Sequence, residues 1–257
     1  MPIVPDDHFS PVAEAYSKGR LSYPSTLFDH LAGYCEEREL AWDCATGSGQ
    51  AVPELARRFR RVVATDISSE LLSRAEKLPN VTYAKAPAES CGIAGGSVDL
   101  ATVAQAIHWL DLGAFWAELR RVLRPRGVFA FWGYNWPEVN DRVDSVLGRL
   151  RLVLQPFWPG RSAVLHSGFR GLEAPFARLA SPGFAIEASW TRADYLAHIQ
   201  SWSAVRYCRE AGRETILSDF QSQLSDVWRE EERHRARWPL LLQVYRNEPP
   251  DASSQQS

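Results

Sequence analysis

The 257-residue chain is predicted to fold as an α/β protein with an open, mostly parallel sheet carrying helices on both faces. Three observations predict it. Short apolar runs alternate with amphipathic stretches from about Leu40 to Trp132. The runs are continuous rather than alternating in polarity, as in parallel strands buried on both faces. The first run passes through the glycines Gly47 and Gly49 into a helix start, and the first and second runs end in acids, Asp43 and Asp66.

Taken in order, strands are predicted at Leu40–Cys44, Arg61–Asp66, Val81–Ala84, Leu100–Ala104 and Gly127–Trp132. Helical spacing joins Ala51, Leu55, Ala56 and Phe59, then Leu71, Leu72 and Ala75, then Leu112, Phe115, Trp116, Leu119 and Leu123. Asp111 is placed to cap the last of these. Farther on, Val139–Leu154 reads as a helix with Val139, Val143, Val146, Leu147, Leu150 and Leu154 on one face. Residues 155–171 contain Pro156 and Pro159 and read as loop. A strand is predicted near Phe184–Trp190, a capping-box helix start at Thr191–Asp194, a long helix from Glu214 to Arg233, and a last strand at Leu240–Tyr245. The polar tail 247–257 is predicted to be disordered.

Composition narrows the function. With 29 basic and 31 acidic side chains the net charge is −2, which argues against a nucleic-acid surface. The apolar runs are too short to span a bilayer. The start MPIVPDDHFS lacks the basic and apolar regions of a signal peptide, so a cytoplasmic location is expected. Cys35, Cys44, Cys91 and Cys208 form no C-x-x-C pair and no zinc pattern, so reduced thiols and no metal are expected. Ten tryptophans are unusually many, and they are either core or the walls of a pocket.

The strand–turn–helix segment carries the chemistry. Gly47 and Gly49 let the backbone approach a ligand, and Asp66 is placed to bond both hydroxyls of a ribose, or else to cap the following helix. Nicotinamide dinucleotides and S-adenosylmethionine both use such an arrangement. The dinucleotide pattern wants a small residue where Val52 stands, and Asp43 would repel a diphosphate. A cationic ligand tolerates Asp43, so the electrostatics favour S-adenosylmethionine.

The stretch from Asp43 to Gly49 resembles motif I, D-x-G-x-G-x-G, of the class I S-adenosylmethionine-dependent methyltransferases, with Ala45 in place of the first glycine. Pro87-Ala88-Glu89 resembles the adenine-contacting segment, with Pro87 replacing its usual acid. Ser97–Leu100 followed by Ala104–Trp109 resembles the fourth strand and its loop, and Leu123–Val128 the turn before the fifth. Phe9, Tyr16, Arg20, Tyr23-Pro24 and Ser201–Ala204 are similar to marks of the type 11, trans-aconitate methyltransferase-like group. The resemblance implies a Rossmann-like, seven-stranded fold in one domain over 1–246. Its core would span about 35–134, with an N-terminal helical cap at 8–34 and a helical, lid-like acceptor-side elaboration at about 135–237.

It also implies roles. Asp43, Ala45, Thr46, Gly47, Ser48 and Gly49 would hold the methionine end, Asp66 the ribose, and Ile67, Pro87, Ala88 and Glu89 the adenine. Gln105 would face the cofactor by its backbone, and Tyr16 and Arg20 would close over the methionine carboxylate. Alanine suits position 45 only if its φ is negative. His108 is the candidate base for a hydroxyl or amine acceptor, or else a pocket-lining histidine. Trp109, Tyr134, Asn135, Trp136, Trp202 and Arg206 are the candidate acceptor contacts, Arg206 as a bidentate partner for a carboxylate. Trp109, Trp132, Trp136 and Trp202 are predicted to meet at the ligand edge of the sheet, with Trp42, Trp116 and Trp228 in the core. The expected activity is methyl transfer to a carboxylate or hydroxyl oxygen of a small molecule, by a monomer or homodimer. A non-catalytic S-adenosylmethionine-binding protein and a nicotinamide-dependent oxidoreductase are the alternatives.

Overall fold

A computed structural model describes residues 21–248. The five apolar runs form β1 (Leu40–Cys44), β2 (Arg61–Asp66), β3 (Val81–Lys85), β4 (Val98–Ala104) and β5 (Leu123–Tyr134). All five residues of β1 are buried, and β4 is buried up to its last residue. That placement explains their unbroken apolar runs. The pairs β1–β2, β1–β4, β2–β3 and β4–β5 are all parallel. Three more strands follow, β6 (Ala177–Leu179), β7 (Ala185–Trp190) and β8 (His234–Arg246). The order is β3-β2-β1-β4-β5-β8-β6, with β7 paired to β8. The direction of winding reverses between β1 and β4, the place where sheets of this kind bind ligands.

The helices are α1 (Ser25–Gly33), α2 (Val52–Ala56), α3 (Ser69–Ser73), α4 (Leu112–Val122), α5 (Asp141–Leu154), α6 (Ser162–His166), α7 (Arg192–Gln200), α8 (Ser203–Glu210) and α9 (Thr215–Ser225). Asp111 caps α4 by accepting from Gly113 and Ala114 N–H, and Thr191 and Asp194 form the expected capping box of α7.

The expected seven strands form the path β3-β2-β1-β4-β5-β8-β6, and β7 joins as an eighth through β8. Three expectations are corrected. The long helix predicted to reach Arg233 stops at Ser225: Trp228 is buried, donates its indole N–H to Glu232 O, and turns the chain. The freed residues enter β8, which starts at His234, with Ala236 and Trp238 inward between exposed arginines. The predicted loop 155–171 contains α6, and a short 3₁₀ turn precedes it at Gln155–Phe157. The predicted disordered tail begins with a placed residue, since Asn247 exchanges backbone hydrogen bonds with Arg126 and Gly127.

The chain divides into two compact units. Among the described residues, the first holds Tyr23–Gly133, Arg170–Phe184 and Leu240–Glu248; the second holds Tyr134–Phe169 and Ala185–Pro239. In the first, Trp42, Phe115, Phe129 and Phe131 are fully buried, and Phe129 and Phe131 stack on Tyr245. In the second, Val143, Val146, Leu147, Leu150 and Leu154 form the buried face of α5, and Trp190 meets Trp238 edge-on at 4.6 Å. Among the described residues no helix is long and apolar enough to cross a membrane, and no group of His, Cys, Asp and Glu is placed to hold a metal ion.

Candidate active site

After β1 the chain turns through Ala45–Gly49 into α2. Thr46 N–H donates to Thr65 O at 2.9 Å and fastens the turn to β2. Gly47 and Gly49 have φ of 57° and 79°. A Cβ on Gly49 would come within 3.1 Å of Tyr83 Oη and 3.3 Å of Ala75 Cβ, so packing as well as backbone angle requires glycine there. A Cβ on Gly47 would meet nothing within 4 Å, which leaves this face of the turn open. Ala45 departs from expectation: its φ is 53°, in the left-handed region. The turn imposes a conformation that L-residues disfavour, and the alanine accepts it.

Asp43, next to last in β1, is 1% exposed. Its Oδ1 accepts the Thr102 hydroxyl at 2.7 Å and its Oδ2 the Thr46 hydroxyl. Among the described residues no cationic side chain lies within ion-pair distance of Asp43. Burial pushes its pKa up to about 6, against the pull of the two hydroxyls and with a push from Asp66. A buried carboxylate without a counter-charge is costly, and a cationic ligand would relieve that cost.

Asp66 ends β2 and is buried. Its Oδ2 accepts Gly47 N–H and its Oδ1 accepts Ser68 N–H, each at 2.8 Å. The cap of α3 is Ser68, which accepts Leu71 N–H, so the capping role considered for Asp66 falls to its neighbour. Ile67 stands 43% exposed beside it. Pro87 is exposed, Ala88 is buried, and Glu89 accepts Asp111 N–H at 2.9 Å, tying the segment to the start of α4. Gln105 follows β4 with φ of 58° and donates its N–H to Trp132 O at 2.8 Å. Ser48 is half-buried in the turn. His108 and Trp109 are half-buried in a 3₁₀ turn, their rings 5.0 Å apart. Tyr16 and Arg20 lie outside the described residues.

The candidate acceptor contacts Tyr134, Asn135, Trp136, Trp202 and Arg206 all fall in the second unit. Tyr134 is buried. Asn135 donates its side-chain N–H to Leu165 O at 3.1 Å, joining the segment after β5 to α6. Trp136 and Trp202 meet at 5.1 Å, and both contact Trp158, at 5.5 and 5.7 Å. His166 packs on Trp136 and Trp158, and the Arg151 guanidinium lies 4.3 Å above the Trp136 ring. Trp158, His166 and Arg151 were not singled out as site candidates from sequence; the two prolines around Trp158 signalled loop but not the aromatic contact. Arg206 has internal partners, donating to Tyr207 Oη at 3.0 Å and facing Glu210 at 3.9 Å. Trp132 leaves the predicted aromatic group. It is fully buried, with Tyr23 and Phe28 packed edge-on at 5.4 and 5.8 Å, because its side chain points into the core.

Comparison with known proteins agrees with this architecture. A family model described as a methyltransferase domain matches residues 42–131. A solved structure described as a type II methyltransferase, from Anaeromyxobacter dehalogenans, is 40% identical with a TM-score of 0.84, over 90% of this chain and 99% of that one. A Dictyostelium discoideum protein named as a methyltransferase is 28% identical over 229 residues, 87% of each chain. An uncharacterized methyltransferase of Mycobacterium tuberculosis is 38% identical over 140 residues, 54% of this chain and 55% of that protein. The chain belongs to the class I S-adenosylmethionine-dependent methyltransferases. S-adenosylmethionine is its cofactor, which decides against the nicotinamide alternative. These relatives are named only as methyltransferases, and their names do not bear on the trans-aconitate-like grouping.

Proposed function

We propose that the protein transfers the methyl group of S-adenosylmethionine to a carboxylate or hydroxyl oxygen of a small molecule. One observation carries the cofactor assignment to particular residues: Asp43 is a buried carboxylate with no cationic partner among the described residues, bonded to Thr46 of the glycine turn. It suits the ammonium of the methionine end. Asp66 suits the ribose hydroxyls, since each of its oxygens accepts only one backbone N–H and retains a lone pair. Exposed Ile67 and the Pro87–Glu89 backbone suit the adenine. When bound, the cofactor supplies an electrophilic methyl on a positively charged sulfur.

The protein's task is mainly to position the acceptor, which contributes about 7–11 kcal/mol to lowering the barrier of such a displacement. A carboxylate acceptor is ionised at neutral pH and needs no base. A hydroxyl acceptor would use His108, at the C-terminal edge of β4, for a factor of about 10²–10⁴.

The test is the pH dependence of cofactor-product binding. S-adenosylhomocysteine should raise the melting temperature of the full chain, and NAD should not. Asp43 must be ionised to attract the ammonium, so the shift should shrink as pH falls through about 6. Thr102→Val removes one hydroxyl donor from the charged form, which raises the Asp43 pKa further. In that variant the loss should set in at higher pH and be restored by raising the pH. A melting temperature that ignores S-adenosylhomocysteine sinks the assignment. Binding without methyl transfer to any of a panel of carboxylic acids and phenols would favour a non-catalytic binding protein.

A further inference from the structure

We propose that the second unit carries a subsite for an aromatic carboxylate, with Arg151 holding the carboxylate and Trp136, Trp158 and Trp202 receiving the ring. This deepens the proposed function by naming an acceptor class; it rests on that reading only for the conclusion that the bound molecule is the methyl acceptor.

Three indoles from three separate segments converge, and all three are half-buried. Trp190, Trp228 and Trp238 of the same unit are buried, so this group is less enclosed than the unit's core tryptophans. Ligand sites are lined mainly by aromatic and apolar side chains that keep an accessible face. The rings are mutually tilted by 47° to 67°, so they offer both faces and edges, the arrangement into which another aromatic ring packs well.

Arg151 supplies the charge. A guanidinium stacked on an indole keeps its in-plane N–H edge free for a bidentate carboxylate. Arg192, Arg233, Arg235 and Arg237 of the same unit each face a carboxylate. Arg151 faces Trp136 instead, and no acidic side chain among the described residues lies within ion-pair distance of it. Its titratable neighbour, His166, is held towards the neutral form by burial and by the Arg151 charge, so it carries no charge of its own into the subsite. Arg206, the arginine predicted from sequence, is engaged with Tyr207 and Glu210.

The test titrates the full chain with 3-phenylpropanoate and with its neutral isostere 3-phenylpropanamide, read by calorimetry. The wild type should prefer the acid by about ten-fold or more, the scale of a charge-assisted hydrogen bond. Arg151→Gln should bring that preference to about one while leaving amide affinity unchanged. Trp158→Leu should weaken both probes. Arg149→Gln, on the same helix but bonded to Gln223, should change neither. The proposal is overturned if the preference survives in Arg151→Gln, or if the wild type binds neither probe below about 10 mM. S-adenosylhomocysteine titrated into the same samples separates the two readings: its failure to bind would count against the proposed function and leave the subsite to stand or fall on the probes.

Discussion

At the residue scale, Ala45 shows what a motif does and does not reveal. Its φ of 53° places Cβ against the following carbonyl, at a cost of about 1–2 kcal/mol for an L-residue. Ala45→Gly removes that crowding but adds freedom to the unfolded chain, worth about 0.5–1 kcal/mol in the other direction. The expected net gain is about 0.5–1 kcal/mol, read as a higher urea midpoint at unchanged slope. A lower midpoint would mean the turn carries no such strain. The positions of Asp43, Asp66 and both glycines were legible because strand-end acids and a glycine turn are spacing signals. The sign of the Ala45 angle was not, since it is set by Thr46 N–H reaching across to Thr65 O. The choice between Arg151 and Arg206 was equally hidden, because it depends on which carboxylates and rings each finds in three dimensions.

At the scale of elements, Asp99 turns out to fasten two strands together. It lies on β4 at 2% exposure, and its Oδ2 accepts N–H groups of Glu39 and Leu40 at 2.8 Å each, where β1 begins. Its Oδ1 faces Arg124 at 2.7 Å. Sequence reading took Ser97–Leu100 as a family mark; the structure gives its acid a bonding role in the sheet. Asp99→Ala would leave Arg124 and two backbone donors without their acceptor, and should cost about 3–5 kcal/mol in chemical denaturation. Glu37→Ala removes the other, exposed partner of Arg124 and should cost at most about 1 kcal/mol. Equal losses in the two variants would refute the fastening role. β1 and β4 were legible because, buried on both faces, they have no solvent side to dilute their apolar runs. Three-residue β6 has no run to detect. α8 went unread because its inward residues, Ala204, Val205 and Cys208, make only a narrow apolar stripe.

For the whole molecule, the near-neutral charge and ten tryptophans constrained function before any fold was drawn, but they could not say which rings were core. The cysteines offer a way to follow the molecule as a whole. Cys44, Cys91 and Cys208 are buried, Cys35 is half-buried, and all four are free. Burial pushes Cys35 up to about 12 and Cys91 up to about 11, and moves Cys44 and Cys208 in the same direction. Only the thiolate reacts, so at about pH 8 no more than on the order of one Cys91 in a thousand is reactive in the folded state. Labelling by a thiol reagent should therefore be slow and governed by opening, with four thiols counted after denaturation. Cys44 and Cys91 belong to the first unit, as do Asp43 and Asp66, and Cys208 belongs to the second. S-adenosylhomocysteine at about 100 times its dissociation constant should raise the free energy of opening the first unit by about 2.7 kcal/mol and slow Cys44 and Cys91 about 100-fold. Mass spectrometry of the labelled peptides then reads each unit separately. Equal slowing of Cys208 would mean that the two units open as one cooperative body, and unchanged Cys208 that they open independently. Labelling of Cys44 that ignores saturating S-adenosylhomocysteine would remove the cofactor from the Asp43 turn.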